Sequence, residues 1–211
     1  MATELERYLA PGRFVESDAD EIVSKAREIV GDAHDTVGKV KRLFYWVRDN
    51  IKYNVYSKIL VENEHRATAT LARGDGNCMQ KATLLCALLR AAGIPARLGF
   101  ADIRNHLIPD ELLENMGTNL FVFHGFVEVH IGDRWVRLTP AFDIETCEQH
   151  GIVPCEFDGT CDAMLSPVDV RGRKHFEYVQ FRGIYDDFPF DEVTKACHAV
   201  YGSDVDYKKF C

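Results

Sequence analysis

The feature that most constrains the fold is a nearly unbroken apolar run at residues 78–92, CMQKATLLCALLRAA. A helix that is apolar almost all round has to be covered by other elements on every side. Gly93 and Pro95 follow the run, in the glycine-then-proline order that typically ends a helix. We therefore predict a buried central helix around which the rest of the chain packs.

Helical periodicity precedes this run and strand periodicity follows it. Residues 17–30 and 35–51 place their apolar side chains on one face at helical spacing, and residues 65–77 descend into a turn. Alternating patterns predict strands at residues 96–103, 120–131, 134–142 and 176–184, with a short helix in the loop before residue 120 and a terminal helix at 190–202. Helices followed by strands indicate an α+β fold with an antiparallel sheet.

Size and composition favour one domain spanning residues 1–211. The chain has 211 residues, of which 46% are hydrophobic, and it shows no clear linker. The formal charge of −8 argues against a nucleic acid as the main partner. No apolar window is long enough to cross a membrane. Seven cysteines without a secretory signal indicate free thiols and a cytoplasmic location.

Cys78 lies at the start of the predicted central helix, where a thiol is most readily activated. The unpaired N–H groups and the positive end of the helix dipole favour a thiolate there. Asn77 is a good N-cap residue, and Gly74 and Gly76 permit a sharp bend. Cys86 lies in the middle of the helix, and we interpret it as a small buried residue. Position alone leaves Cys78 open between a nucleophile and a core residue.

An activated cysteine needs a base within reach, and His124 is the candidate. His124 and His130 share the strand at 120–131 and lie about 20 Å apart, so only one can serve Cys78. His130 adjoins a turn, whereas His124 lies in mid-sheet. A buried histidine with a purely structural role is the alternative for His124. The other histidines lie in a loop or in polar, surface-like contexts: His34, His65, His106, His150, His175 and His198.

The hairpin after His124 predicts a third residue. With a two-residue turn at Gly132–Asp133, Glu128 faces Arg137, which is a favourable pair of opposite charges. The same register, extended further, makes Asp143 a diagonal neighbour of His124. Asp143 could then orient the imidazole, as a carboxylate does in a catalytic triad.

Two blocks of sequence, GNCMQKATLLCALLRAAGIPAR and HGFVEVHIGDRWVRLTPAF, resemble the transglutaminase-like superfamily, which shares its architecture with papain-like cysteine peptidases. The resemblance covers residues 36–143 and leaves 144–211 as a C-terminal extension of the same domain. It implies a papain-like transglutaminase core, in which a buried central helix with a cysteine at its N-terminus packs on an antiparallel sheet, with N-terminal helices. It also implies Cys78 as nucleophile and His124 as base.

The family mechanism implies that the Cys78 thiolate attacks an amide carbonyl, that His124 protonates the leaving amine, and that water or an amine resolves the acyl-enzyme. The Cys78 N–H would be the main oxyanion donor and Asn77 a weaker one. The family has an aspartate where this chain has Thr139. Because threonine cannot stabilise an imidazolium by charge, Asp143 is the replacement candidate. Peptidases, amidases and acyl transferases share these parts.

Two other interpretations remain from the sequence. Cys147, His150, Cys155 and Cys161 are close in sequence but lack the tight spacing of zinc sites, so we predict no metal and no cofactor. A catalytically inactive binding or scaffold module is the stronger alternative, since Thr139 replaces the family's aspartate.

The expected partner is a protein, peptide or small amide substrate, rather than nucleic acid or membrane. Residues 144–211 have no counterpart in the recognised motifs. They could line the cleft, cap the sheet or form a homodimer contact.

Overall fold

The computed structural model describes residues 5–202. The helices, in chain order, are α1 (Asp20–Val30), α2 (Thr36–Asn50), α3 (Ala67–Arg73), α4 (Cys78–Ala91), α5 (Asp110–Met116), α6 (Ile144–His150) and α7 (Phe190–Tyr201). The strands are β1 (Lys52–Tyr53), β2 (Asp75–Gly76), β3 (Ala96–Asn105), β4 (Leu120–Ile131), β5 (Arg134–Leu138) and β6 (Phe176–Tyr185). An antiparallel sheet has the order β5-β4-β3-β6, and β1 pairs with β2 in parallel. The predicted α+β class with an antiparallel sheet is confirmed.

Helix α4 is the buried centre of the fold, as predicted. Every residue from Met79 to Arg90 is buried, and α1, α2, α3, β3 and β4 pack against the helix. Its start is fixed by a capping box: Asn77 Oδ1 accepts the N–H groups of Met79 and Gln80, while Gln80 Oε1 accepts the Asn77 N–H. The cap therefore determines where the helix begins and where Cys78 lies.

Lys81 is a charged residue in the buried part of α4. Its Nζ donates to the carbonyl oxygens of Arg48 at 2.9 Å and Ile51 at 2.5 Å. These carbonyls lie at the C-terminal end of α2, where helical partners run out. Burial lowers the pKa of Lys81 to about 7, whereas the negative charges of Asp143 and Asp49 act to raise it. The lysine thus ties the end of α2 to the first turns of α4.

The β4–β5 hairpin has the predicted register. Gly132 and Asp133 form the two-residue turn, and Glu128 is paired with Arg137. The Arg137 Nε donates to Glu128 Oε1 at 3.0 Å, as expected for opposite charges across neighbouring strands.

Strand β5 ends four residues earlier than predicted. Its last residue is Leu138, and the Thr139 N–H bonds to Ala163 O at 2.8 Å instead of continuing the hairpin. Pro140 has no N–H with which to resume pairing. The extension of the hairpin register to Asp143 is therefore wrong.

A bulge interrupts the predicted alternation of β4 just before His124. Ala101 pairs with His124 and Ile103 with Phe121, so three steps along β4 span two along β3. Phe123 lies in the bulge with a φ of 55°, and it alone among the described non-glycine residues has a positive φ. Bulky side chains rarely adopt this left-handed conformation.

Residues after 143 extend the sheet and pack against β4. The predicted strand at 176–184 and terminal helix at 190–202 are confirmed as β6 and α7, each within one residue. Strand β6 pairs with β3, and α7 packs against β4. The Tyr201 hydroxyl accepts the Val122 N–H at 2.9 Å and donates to Leu120 O at 3.1 Å. The C-terminal segment therefore holds the beginning of β4 in place.

Two histidines that the sequence placed in surface-like contexts are buried. The His65 ring stacks on Phe188 with a centroid separation of 4.2 Å. The His175 ring stacks on Phe176 at 3.9 Å. Burial lowers the pKa of His65 to about 4 and also lowers that of His175. Their polar neighbours in sequence did not reveal the aromatic rings that cover them in the fold.

Candidate active site

Cys78 lies at the N-terminus of α4, at the junction of two cavities. The larger, of about 390 Å³, is lined by both Cys78 and His124. The smaller, of about 60 Å³, is lined by Cys78 and Asn77. Cys78 is partly exposed, whereas Cys86 is fully buried, as predicted. The structure thus brings the predicted nucleophile and base to one cavity.

Strand β4 approaches the start of α4 closely at Gly125. A Cβ on this residue would lie 2.9 Å from Met79 Cα and 3.1 Å from Cys78 O, so the backbone contact excludes a side chain. The Gly125 N–H acts to lower the pKa of the Cys78 thiol, in the sense opposite to burial. Because Gly125 directly follows His124, this close approach places the His124 segment of β4 against the residue that carries the predicted nucleophile. Our sequence reasoning did not single out Gly125, although a glycine inside a strand pattern signals a close backbone approach.

Burial shifts the pKa values of Cys78 and His124 in the directions that favour their uncharged forms. It raises the pKa of the Cys78 thiol, while the Gly125 and Met79 N–H groups act in the opposite sense. It lowers the pKa of His124 to about 3. Both shifts favour the uncharged forms, a thiol for Cys78 and a neutral imidazole for His124.

The Nε2 atom of the His124 ring is buried and has no hydrogen-bond partner among the described residues. The nearby Tyr178 ring meets the imidazole edge-on, with centroids 6.1 Å apart. Thr139, where the family resemblance implies an aspartate, donates to Met164 Sδ at 3.3 Å, and its hydroxyl acts to lower the pKa of Tyr178, which burial raises. None of the hydrogen bonds within residues 5–202 joins Thr139 to His124.

Asp143 is the N-cap of α6 and is buried. Its carboxylate accepts the Tyr53 N–H at 2.8 Å, the Thr146 N–H at 3.0 Å and the Thr146 hydroxyl at 2.9 Å. Burial alone would raise the pKa of Asp143, but these hydrogen bonds and the charge of Lys81 lower it. None of the hydrogen bonds within residues 5–202 joins Asp143 to His124. The structure therefore does not bring these two predicted residues together.

Two N–H groups at the start of α4 lie next to Cys78 without an acceptor in the helix or its cap. The Cys78 N–H is in the first turn of α4, where the helix supplies no acceptor. Asn77 Nδ2 is buried without a hydrogen-bond partner among the described residues, because the capping box uses only Asn77 Oδ1 and N–H. These are the two groups that the sequence analysis names as candidate oxyanion donors.

The larger cavity has a mostly apolar and aromatic lining. Its aromatic residues are Tyr53, Tyr56, Phe121, Phe142 and Phe176. Polar groups include His150 and His175, and Glu111 is a carboxylate on its wall. Of the residues that the structure describes, no lysine or arginine lines it. Residues of the C-terminal extension line the cleft, which was one of the roles expected for them.

Other features of residues 5–202 bear on binding. No three of their histidine, cysteine, aspartate or glutamate side chains converge as metal ligands would. Their cysteines, including Cys147, Cys155 and Cys161, are free thiols. None of the helices in this range is long and apolar enough to cross a bilayer.

Comparison with solved structures gives two matches of low sequence identity. The structure named "Putative Cysteine Protease from Cytophaga hutchinsonii" is 20% identical, with a TM-score of 0.53, and the match covers 86% of this chain and 54% of that one. The structure named "Putative Protease from Parabacteroides distasonis" is 17% identical, with a TM-score of 0.42, over 64% of this chain and 25% of that one. This chain thus spans about half the length of the first protein and a quarter of the second.

Sequence comparison identifies the family. No protein of curated function matches the chain significantly. The sequence profile of the transglutaminase-like superfamily matches residues 23–140, which is more than half of the chain and includes Cys78, His124 and Thr139. The Cytophaga hutchinsonii structure shows the same fold. The chain therefore belongs to the transglutaminase-like superfamily.

Proposed function

We propose that this protein is a cysteine-nucleophile enzyme that cleaves or transfers an amide or peptide bond through an acyl-enzyme. The observation that carries the proposal is the shared cavity: Cys78, at the start of a buried helix, and His124 both line it. The close packing at Gly125 holds their two elements together. A nucleophile and a base on rigid, contacting elements are what acyl transfer requires.

In the proposed reaction, His124 accepts the Sγ proton as Cys78 attacks the carbonyl carbon. The Cys78 N–H and Asn77 Nδ2 stabilise the negative oxygen that forms. The C–N bond then breaks, and the protonated His124 gives its proton to the departing amine. Water or a second amine, deprotonated by His124, attacks the thioester carbonyl. The C–S bond then breaks, the acyl product leaves, and the proton on His124 returns to the Cys78 sulfur.

The proposed site functions as a Cys–His pair without a carboxylate bonded to the imidazole. Cysteine is nucleophilic enough to react with a neutral orienting group beside its base. In this proposal Tyr178, backed by Thr139, supports the ring by packing, and Asp143 organises the loop at Tyr53.

The cavity lining suits a neutral substrate with an apolar or aromatic acyl side chain. Aromatic side chains bury such groups well. An acidic acyl group would lack a positive partner among the described lining residues. The substrate in this proposal is a protein, peptide or small amide, and the free thiols suit a cytoplasmic location.

An inactive binding module is the second candidate function. The observation that favours it is the buried, unpaired Nε2 of His124, since a catalytic imidazole is usually oriented by a hydrogen bond to one of its nitrogens. In that case the cavity would bind a ligand without converting it.

The test compares the reactivity of two cysteines within one protein. We would measure iodoacetamide alkylation of Cys78 against pH, with peptide mapping, and use the exposed Cys161 as an internal reference. As an enzyme, the wild type should show a Cys78 to Cys161 alkylation ratio at pH 7 about tenfold higher than that of His124→Ala, because alkylation needs the thiolate and His124 accepts the proton as the thiol reacts.

Turnover completes the test. A panel of fluorogenic peptide amides with aromatic, aliphatic, acidic and basic acyl residues should give activity that Cys78→Ser abolishes, with aromatic residues preferred. The melting temperature of Cys78→Ser should stay within about 2 °C of the wild type, since one atom changes at a partly exposed position. The same Cys78 to Cys161 alkylation ratio in wild type and His124→Ala, with no turnover, would leave the binding module as the function.

A further inference from the structure

The backbone immediately before His124 is held in a conformation that its sequence disfavours. Phe123 has a φ of 55°, within the bulge of β4. A bulky non-glycine residue persists there only when its surroundings enforce it. The conformation sets the direction of the next residue, so whatever enforces it also sets the direction of the His124 side chain.

Asp102 supplies the constraint from the neighbouring strand β3. Its Oδ1 accepts the Phe123 N–H at 3.1 Å, and the side chain is 3% exposed. Arg182, on β6, donates to both carboxylate oxygens of Asp102, at 2.9 Å and 2.6 Å. The Arg182 guanidinium also lies 5.3 Å from the centroid of the Phe123 ring. The Asp102–Arg182 ion pair therefore contacts Phe123 twice: Asp102 binds its N–H, and Arg182 lies over its ring.

Asp102 also lies where both neighbours of β3 are irregular. The pairing of β3 with β4 shifts between Ala101 and Ile103, and the pairing with β6 shifts between Asp102 and Ile103. Bulges of this kind re-aim a side chain and are frequent beside active sites. Backbone pairing between the strands is interrupted at Asp102 and cannot hold Phe123 at a positive φ. The hydrogen bonds of the Asp102 side chain supply that constraint instead.

We propose that Asp102 and Arg182 are positioning residues for His124: the Arg182-paired carboxylate fixes the left-handed bulge at Phe123 and thereby directs the imidazole towards Cys78. This inference rests on the proposed function for its kinetic consequence. Neither residue touches the cavity that holds Cys78 and His124, and neither belongs to the motifs by which the family is recognised.

The test first removes the Asp102 carboxylate and then replaces Phe123 by a residue that adopts a positive φ without it. Asp102→Ala should lower the Cys78 to Cys161 alkylation ratio most of the way to that of His124→Ala, a loss of up to about tenfold, because a misplaced base is nearly as poor as an absent one. Adding Phe123→Gly should restore most of the ratio, because glycine adopts a positive φ without strain. Adding Phe123→Ala instead should not restore it. This pair is a matched control, since both variants lose the ring but only glycine tolerates the φ.

A second readout does not depend on activity. NMR titration of the His124 ring should show its pKa rising from about 3 towards the ordinary value of 6.5 in Asp102→Ala, as a displaced ring gains water, and falling again in Asp102→Ala/Phe123→Gly.

Two outcomes separate the failure of this inference from that of the proposed function. If wild type and His124→Ala alkylate alike, the proposed enzyme fails, and the NMR titration alone decides the positional role. If Asp102→Ala melts at a lower temperature but keeps the alkylation ratio and the His124 titration of the wild type, Asp102 serves stability only and the inference is overturned. Equal recovery with glycine and alanine at position 123 would overturn it as well.

Discussion

At the scale of single residues, Asn77 combines a structural and a proposed catalytic role in one side chain. Its Oδ1 caps α4, whereas its Nδ2 is buried beside Cys78 without a partner among the described residues. The two roles use different atoms, so a substitution can separate them. Aspartate caps a helix as well as asparagine does but has no N–H to donate.

We expect Asn77→Asp to fold normally and to lose activity. The free energy of unfolding should change by less than about 0.5 kcal/mol, because the cap is kept. The kcat should fall about 100-fold or more, as it does when one oxyanion donor is removed. Urea denaturation and turnover of the best fluorogenic amide measure the two effects, and the pH profile of Cys78 alkylation controls for the added charge. Unchanged kcat would exclude Asn77 as an oxyanion donor.

At the scale of elements, α6 depends on its N-cap. Helices of this length are unstable alone, and α6 begins where the Asp143 carboxylate binds the Thr146 N–H and hydroxyl. The same carboxylate binds the Tyr53 N–H on β1. One side chain thus joins the helix to the strand whose tyrosine lines both cavities.

Asp143→Ala should lower the free energy of unfolding by about 2 kcal/mol at pH 7, through the lost cap and the lost bonds to a charged group. The native pKa of Asp143 is below its ordinary value of 3.8, so this stabilisation is present above about pH 4 and is lost as the pH falls through the native pKa. Urea denaturation of both proteins from pH 7 to pH 2.5 should therefore show the difference shrinking at acid pH.

The more conservative Asp143→Asn distinguishes this structural role from a catalytic one. A carboxylate that orients a catalytic histidine lowers kcat about 10⁴-fold when it becomes an amide. Because Asp143 is bonded to Tyr53 and Thr146 instead of His124, we expect a loss of less than tenfold, similar to that of Thr139→Ala. A loss on the larger scale, at unchanged stability, would restore Asp143 as the third catalytic residue.

At the scale of the whole molecule, Arg90 joins two distant segments of the chain to the nearby start of β3, at the end of α4. Its guanidinium donates to the carbonyl oxygens of Ala10 at 2.7 Å, Ala96 at 2.9 Å and Asp186 at 2.6 Å, and the residue is 5% exposed. The planar fork of arginine can reach three directions at once, which a lysine or an apolar side chain cannot. The N-terminal segment, β3 and the segment after β6 therefore meet at this one residue.

Arg90→Met should lower the free energy of unfolding by about 3 kcal/mol, because three carbonyl groups lose a charged donor. Arg104→Met is the matched control: Arg104 is partly exposed and its side chain binds Asn119, so its loss should cost less than about 1 kcal/mol. Urea denaturation of the two variants measures both values. Similar small losses in both would show that water replaces the Arg90 bonds and that the three segments hold together without it.

Local pattern was enough to predict several parts of the fold. Helix α4 and its start at Cys78 follow from a continuous apolar run and a capping residue, both of which are local in sequence. The β4–β5 register follows from a two-residue turn and the Glu128–Arg137 pair. The short helices α3 and α6 were missed because their stability comes from packing and a distant N–H partner, not from periodicity.

The sequence by itself determined the class of fold, the central helix and the two residues, Cys78 and His124, that share a cavity. Each of these follows from the spacing of residues along a single helix or strand. That spacing is a property of the sequence and does not depend on what the element packs against. Only the tertiary structure decided what surrounds them. Thr139 bonds to Ala163 and so ends β5 before Asp143 can reach His124, and the bulge at Phe123 forms because Asp102 and Arg182 arrive from two other strands. These bonds join residues far apart in sequence, and no local pattern records them.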